Sequence, residues 1–82
     1  MSKKVIETAT NQVEMYGYFA GVALFNGDKE RQEKYMLRFE QVLDALELLE
    51  IMAYDDAFEL LKKVYFEHRR NGYKNCKAVA AQ

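Results

Sequence analysis

Proline is missing from all 82 residues and glycine occurs only four times. A many-stranded protein needs both for its turns, so helix is the default expectation. Cys76 is the only cysteine and His68 the only histidine. An internal disulfide is thereby excluded, and a structural zinc site, which takes four ligands, is out of reach. Ser2 is the only serine, leaving Cys76 with His68 as the one conceivable nucleophile and base, eight residues apart across an expected helix end. The chain carries no Gly-rich phosphate loop, CxxC, HExxH or acidic calcium loop. These absences predict a protein that is not an enzyme and uses no metal or cofactor.

Long apolar runs are also scarce, with one exception. Met15 to Phe25 is free of charges and side-chain amides. As a helix it spans about 16 Å, roughly half of a bilayer core, and so is too short to cross. Glu7 and Glu14 interrupt the approach to it from Lys3 and Lys4, which argues against a secretory signal. The expectation is a cytoplasmic protein without membrane insertion. One short domain, residues 1–82, buries only about 60 to 65 per cent of its unfolded surface. With disulfide and metal excluded, oligomerisation is the remaining source of extra stability.

Half of the residues are hydrophobic, including six Tyr and five Phe, so material for a core is ample. Val5, Ala9, Val13, Tyr16, Ala20 and Ala23 recur at helical spacing and predict a first helix over about 3–25. Asn26-Gly27-Asp28 supplies a left-handed C-cap followed by an acidic N-cap. A second helix follows over about 29–53, with a seam of Tyr35, Phe39, Val42, Leu46, Leu49 and Ala53, antiparallel to the first. Asp55 is the expected N-cap of a third helix over about 56–71, closed by Asn71-Gly72, with 73–82 a short, flexible, basic tail. A single helix of about forty residues is the competing reading of the second and third segments. The fold class expected is all-α: an antiparallel helical hairpin plus a third helix.

Side chains of the Met15 to Phe25 run point in nearly every direction, and an all-round apolar helix must be buried all round. Helix 2 covers one arc. Met15, Tyr18, Phe19, Val22 and Phe25 lie on another, which either helix 3 or a partner must cover. Gly17 and Gly21 stand at the spacing that lets helix backbones approach; a close-packed helix crossing is one reading, room for Phe39 or Tyr35 of helix 2 the favoured one, and a kink in helix 1 a third. The function expected is a non-catalytic protein-interaction module, a small adaptor, regulator or inhibitor that also self-associates as a homodimer. Its candidate contact residues are Tyr16, Gly17, Tyr18, Phe19, Gly21 and Val22. Phe19→Asp is expected to abolish association.

Charge is segregated along the chain, although the net value is only −1. From Glu40 to Glu59 there are seven acids and no base, whereas Lys62 to Lys77 holds six bases against Glu67 alone. The carboxylates of Glu40, Asp44 and Glu47 share one helix face and read as a solvated surface. Lys62, Lys63, Arg69, Arg70, Lys74 and Lys77, interleaved with Tyr65, Phe66 and Tyr73, form the alternative site, for nucleic acid. The overall pI near 5.8 disfavours that alternative, and intermolecular pairing with the acidic stretch is a third use, one that would orient an antiparallel dimer.

Overall fold

The computed structural model describes residues 2–82 and consists of three helices: α1 (Ser2–Phe25), α2 (Lys29–Leu48) and α3 (Tyr54–Ala80). They run up, down and up. α1 is the central element, packing most extensively on α3, then on α2, while α2 and α3 touch least. The 27-residue α3 spans about 40 Å at helical rise and sets the long axis of a body measuring 46 × 22 × 16 Å.

Both interhelical turns use the same device. After α1, Gly27 takes φ +67°, its N–H bonds to the Leu24 carbonyl at 3.1 Å, and the Asp28 N–H reaches the Ala23 carbonyl at 2.9 Å. That is a Schellman closure. The Asp28 side chain then accepts the Arg31 N–H at 3.1 Å and caps α2. After α2, Glu50 occupies the equivalent position at φ +58°. The Glu50 N–H bonds to the Glu47 carbonyl at 2.9 Å and the Ile51 N–H to the Leu46 carbonyl at 3.0 Å.

This second closure ends α2 at Leu48, not near residue 53. The seam is therefore truncated: Phe39, Val42 and Leu46 are buried, whereas Leu49 and Ala53 fall outside the helix and are exposed. α3 begins at Tyr54, so Asp55 is a first-turn residue and not the N-cap; Ala53 holds that position without a side-chain cap. The Tyr54 N–H is met instead by the Glu47 carboxylate of α2 at 3.0 Å.

Gly72 does not close the third helix. It lies buried inside α3, which continues to Ala80, so residues 73–80 are helical and not a tail. The reason is a backbone contact: a Cβ on Gly72 would collide with the Tyr18 carbonyl of α1. Gly17 and Gly21 face α3 in the same way, against the backbone at Tyr65 and at Arg69. They make room for the α3 main chain, not for Phe39 or Tyr35 of α2, and α1 runs through them as one helix. Three glycines thus let α1 and α3 approach at main-chain distance.

The core forms where α2 meets this pair. Val13, Phe39, Leu43, Leu46, Leu61 and Tyr65 are almost wholly enclosed, and the Phe39 and Tyr65 rings stack with centroids 4.6 Å apart. Burial raises the Tyr65 phenol above its ordinary value of 10.0; Arg69 opposes the shift and Glu40 adds to it.

Candidate protein-binding face

α1 has three arcs, and its neighbours cover two. The buried residues of this helix are Ala9, Val13, Gly17, Ala20, Gly21 and Ala23, none larger than valine. Its bulky apolar residues lie elsewhere: Met15 is 46% exposed and Phe19 42%, with Tyr18, Val22 and Phe25 half-buried. At 100° per residue, Thr8, Gln12, Met15, Phe19 and Val22 fall on one stripe.

The six contact residues expected from sequence separate into three pairs. Gly17 and Gly21 are enclosed against α3 and are not available to a partner. Tyr16 stacks on Tyr35 of α2 at 6.4 Å, and Phe19 leans on the same ring at 5.7 Å. Tyr18 turns toward α3, where its hydroxyl accepts the Asn75 amide N–H at 3.0 Å. Phe19 and Val22 remain on the open arc with Met15. The role of Tyr35 as a platform for two α1 aromatics depends on the helix crossing and is not carried by its place in the seam.

The open arc continues into a groove that no sequence signal marked. It lies between the first half of α1 and the last half of α2, with a volume of about 400 Å³. Lys4, Val5, Thr8, Ala9 and Gln12 line it from α1, Val42, Ala45 and Leu46 from α2, and Leu49 from the turn that follows. Thr8, Ala9 and Ala45 are small, which leaves the space. Arg31, Lys34 and Arg38 recur at three and four in the first half of α2, outside the groove, with Arg31 paired to Asp28 at 3.4 Å.

On α3 the six expected bases fall within an arc of about 140°. Lys62, Lys63, Phe66, Glu67 and Arg70 border one depression; Arg69 and Arg70 join Leu24, Phe66 and Tyr73 around a cleft of about 310 Å³. Lys62 is already paired with Glu59 at 2.9 Å and sits over the Phe58 ring. Lys74 and Lys77 are exposed farther along the helix. The acidic counterpart is also on the surface: Glu40, Asp44 and Glu47 are exposed on α2. Partial burial first, and then the carboxylates of Glu40, Asp44, Asp55 and Glu47, hold the Tyr54 phenol above its ordinary value.

Cys76 and His68 are two turns apart on α3, about 12 Å along the axis. The His68 ring is engaged elsewhere. Its Nδ1 lies 2.9 Å from the Val64 carbonyl, which can only accept, so that nitrogen carries a proton. Its Nε2 is 3.7 Å from the Glu14 carboxylate of α1. Among the described residues no group of three or more His, Cys, Asp or Glu side chains is placed to hold a metal ion, and no helix is long and apolar enough to cross a membrane. Comparison of the chain with known protein families, with characterised proteins and with solved structures finds no match in any of the three.

Proposed function

We propose that this chain is a non-catalytic, cytoplasmic protein-interaction module, an adaptor, regulator or inhibitor that occupies a partner surface and also self-associates. The observation that carries the reading is the inversion of α1, whose small residues are inside and whose Met15 and Phe19 are outside. Large apolar side chains arrayed at helical spacing on a surface mark an interaction site. The groove of Val5, Ala9, Val42 and Leu46 extends that surface along the α1–α2 hairpin. A groove between two antiparallel helices, with α3 on the other side, has the shape that an amphipathic partner helix fills. Lys4, the one charged residue in its lining, favours a partner helix with an acidic flank.

The test is tagged co-purification from the native cell extract, split into nuclease-treated and untreated halves and read by mass spectrometry and absorbance at 260 nm. A stoichiometric protein that survives nuclease, and is lost with Phe19→Asp or Ala45→Arg while the helical circular dichroism spectrum is retained, is the expected result. Capture unchanged by both substitutions would refute this face.

The second reading is a nucleic-acid-binding regulator using the bases of α3. It is favoured by Lys63 and Arg70 beside exposed Phe66, and opposed by Glu67 in the same depression and by the pairing of Lys62 with Glu59. Phosphate contacts make log affinity fall steeply with log salt. Nucleic acid that co-purifies, with proteins lost on digestion, would move the function to α3.

A further inference from the structure

Leu48, the last residue of α2, is 83% exposed. Glu47 precedes it and Leu49 and Glu50 follow, so an apolar knob projects from the α2–α3 turn with acids on both sides. Glu50 holds the left-handed conformation at φ +58°, which glycine or asparagine adopts at lower cost. A strained, charged residue at a surface turn points to a use for its side chain.

The complementary surface lies farther along the molecule. Leu24, Phe66 and Tyr73 are each about two-fifths exposed and form the apolar lining of the 310 Å³ cleft that Arg69 and Arg70 flank. Knob and cleft are separated by about 25 Å of helical rise along α3. Within one copy they cannot meet, because rigid helices hold them apart.

We propose that two copies associate antiparallel about a two-fold axis, each Leu48 entering the other copy's cleft between Phe66 and Tyr73, with Glu50 facing Arg70. A two-fold axis perpendicular to the long axis sets knob against cleft twice, once at each end. It also lays the acidic segment 40–59 of one copy beside the basic segment 62–77 of the other. A single head-to-tail contact of the same kind would grow into a filament; the two-fold arrangement closes. This deepens the self-association proposed above and is independent of the α1 face.

The test is sedimentation equilibrium of the full chain at low and high salt, with circular dichroism on every sample. The expected result is a wild-type dimer weakened by salt, a dissociation constant raised roughly tenfold or more by Arg70→Glu and by Glu50→Arg, and recovery in the chain carrying both substitutions. Leu48→Ala should also weaken the dimer, and Phe19→Asp should leave it intact. A wild-type monomer up to high-micromolar concentration overturns the proposal, as does a dimer indifferent to Arg70→Glu, or a folded double variant that fails to recover. If Phe19→Asp dissolves the dimer instead, copies meet through the α1 face; this interface falls and the α1 reading stands. A labelled single-stranded oligothymidylate that binds a monomer in a salt-dependent manner, and is released by Arg70→Glu, assigns the cleft to nucleic acid and likewise overturns the proposal.

Discussion

Replacing Glu50 by glycine should make the isolated chain more stable. The turn after α2 repeats the hydrogen bonding of the turn after α1, but with glutamate where the first has Gly27. A left-handed backbone costs an L side chain about 1–2 kcal/mol. Glycine removes that strain and adds unfolded-state freedom worth about 0.4–1 kcal/mol in the opposite direction. The net gain is about 1 kcal/mol, slightly more because the carboxylate sits at the negative end of the α2 dipole. In a domain of this size that raises the melting temperature by about 4–8 °C. Thermal and urea unfolding at dilute protein concentration and high salt, where self-association contributes least, would read it. Glu50→Gln removes the charge and keeps the side chain, so it should recover only the small dipole contribution. Gly27→Ala supplies the reciprocal change and should lower stability by about 1 kcal/mol. If Glu50→Gly is neutral or destabilising while Gly27→Ala behaves as expected, Glu50 is not strained and the argument built on it fails.

Substituting Gly21 by alanine should destabilise the fold against the helix-propensity trend. Its Cβ would come within 2.8 Å of the Tyr73 nitrogen, as well as onto the Arg69 carbonyl. Forcing α1 and α3 apart costs about 1–3 kcal/mol, more than the roughly 1 kcal/mol that alanine returns in a helix interior, and urea midpoints would give the difference. Alkaline pH should weaken the fold through Tyr65. Because burial raises its folded-state pKa above the ordinary 10.0, the folded chain keeps the phenol proton that the unfolded chain gives up. The stability from this group is complete below about pH 10 and is lost as pH climbs through the raised folded value. Tyr65→Phe should flatten that alkaline decline, and a decline of unchanged slope would assign it to other groups.

What was legible in the sequence was whatever rested on residues acting locally. Gly27 and Asp28 name the first turn outright, since one supplies the positive φ and the other the capping oxygen. The second turn uses the same geometry with Glu50, a residue that gives no such signal, so the periodicity of the seam continues through it to Ala53. The start of α3 was hidden for another reason: its cap comes from Glu47, seven residues upstream on a different helix. Gly72 carries no signal of its role, because a glycine that ends a helix and one that admits a neighbouring backbone are identical until the neighbour is known. The same ambiguity assigned Gly17 and Gly21 to α2 side chains when α3 main chain occupies the space. On the candidate face, the arc of Met15, Phe19 and Val22 followed from periodicity, whereas the groove beside it depends on the separation of α1 and α2, which periodicity does not encode.

The glycine packing and the open face are linked. Joining two helices through their backbones requires small residues over a whole arc, and α1 commits Ala9, Val13, Gly17 and Gly21 to its enclosed side. Bulky side chains on that arc would hold α3 away. They are therefore displaced to the arc away from α3, where Phe19 keeps the edge contact with Tyr35 of α2 and both Met15 and Phe19 lose about half of the burial a core would give them. Selection for stability alone would replace them with polar residues, since an exposed aromatic contributes little to folding and promotes non-specific association. Small residues toward α3 and exposed Met15 and Phe19 on the opposite side are thus two consequences of one packing arrangement, in a chain that is thirty per cent charged, and the second is the observation on which the proposed partner face rests.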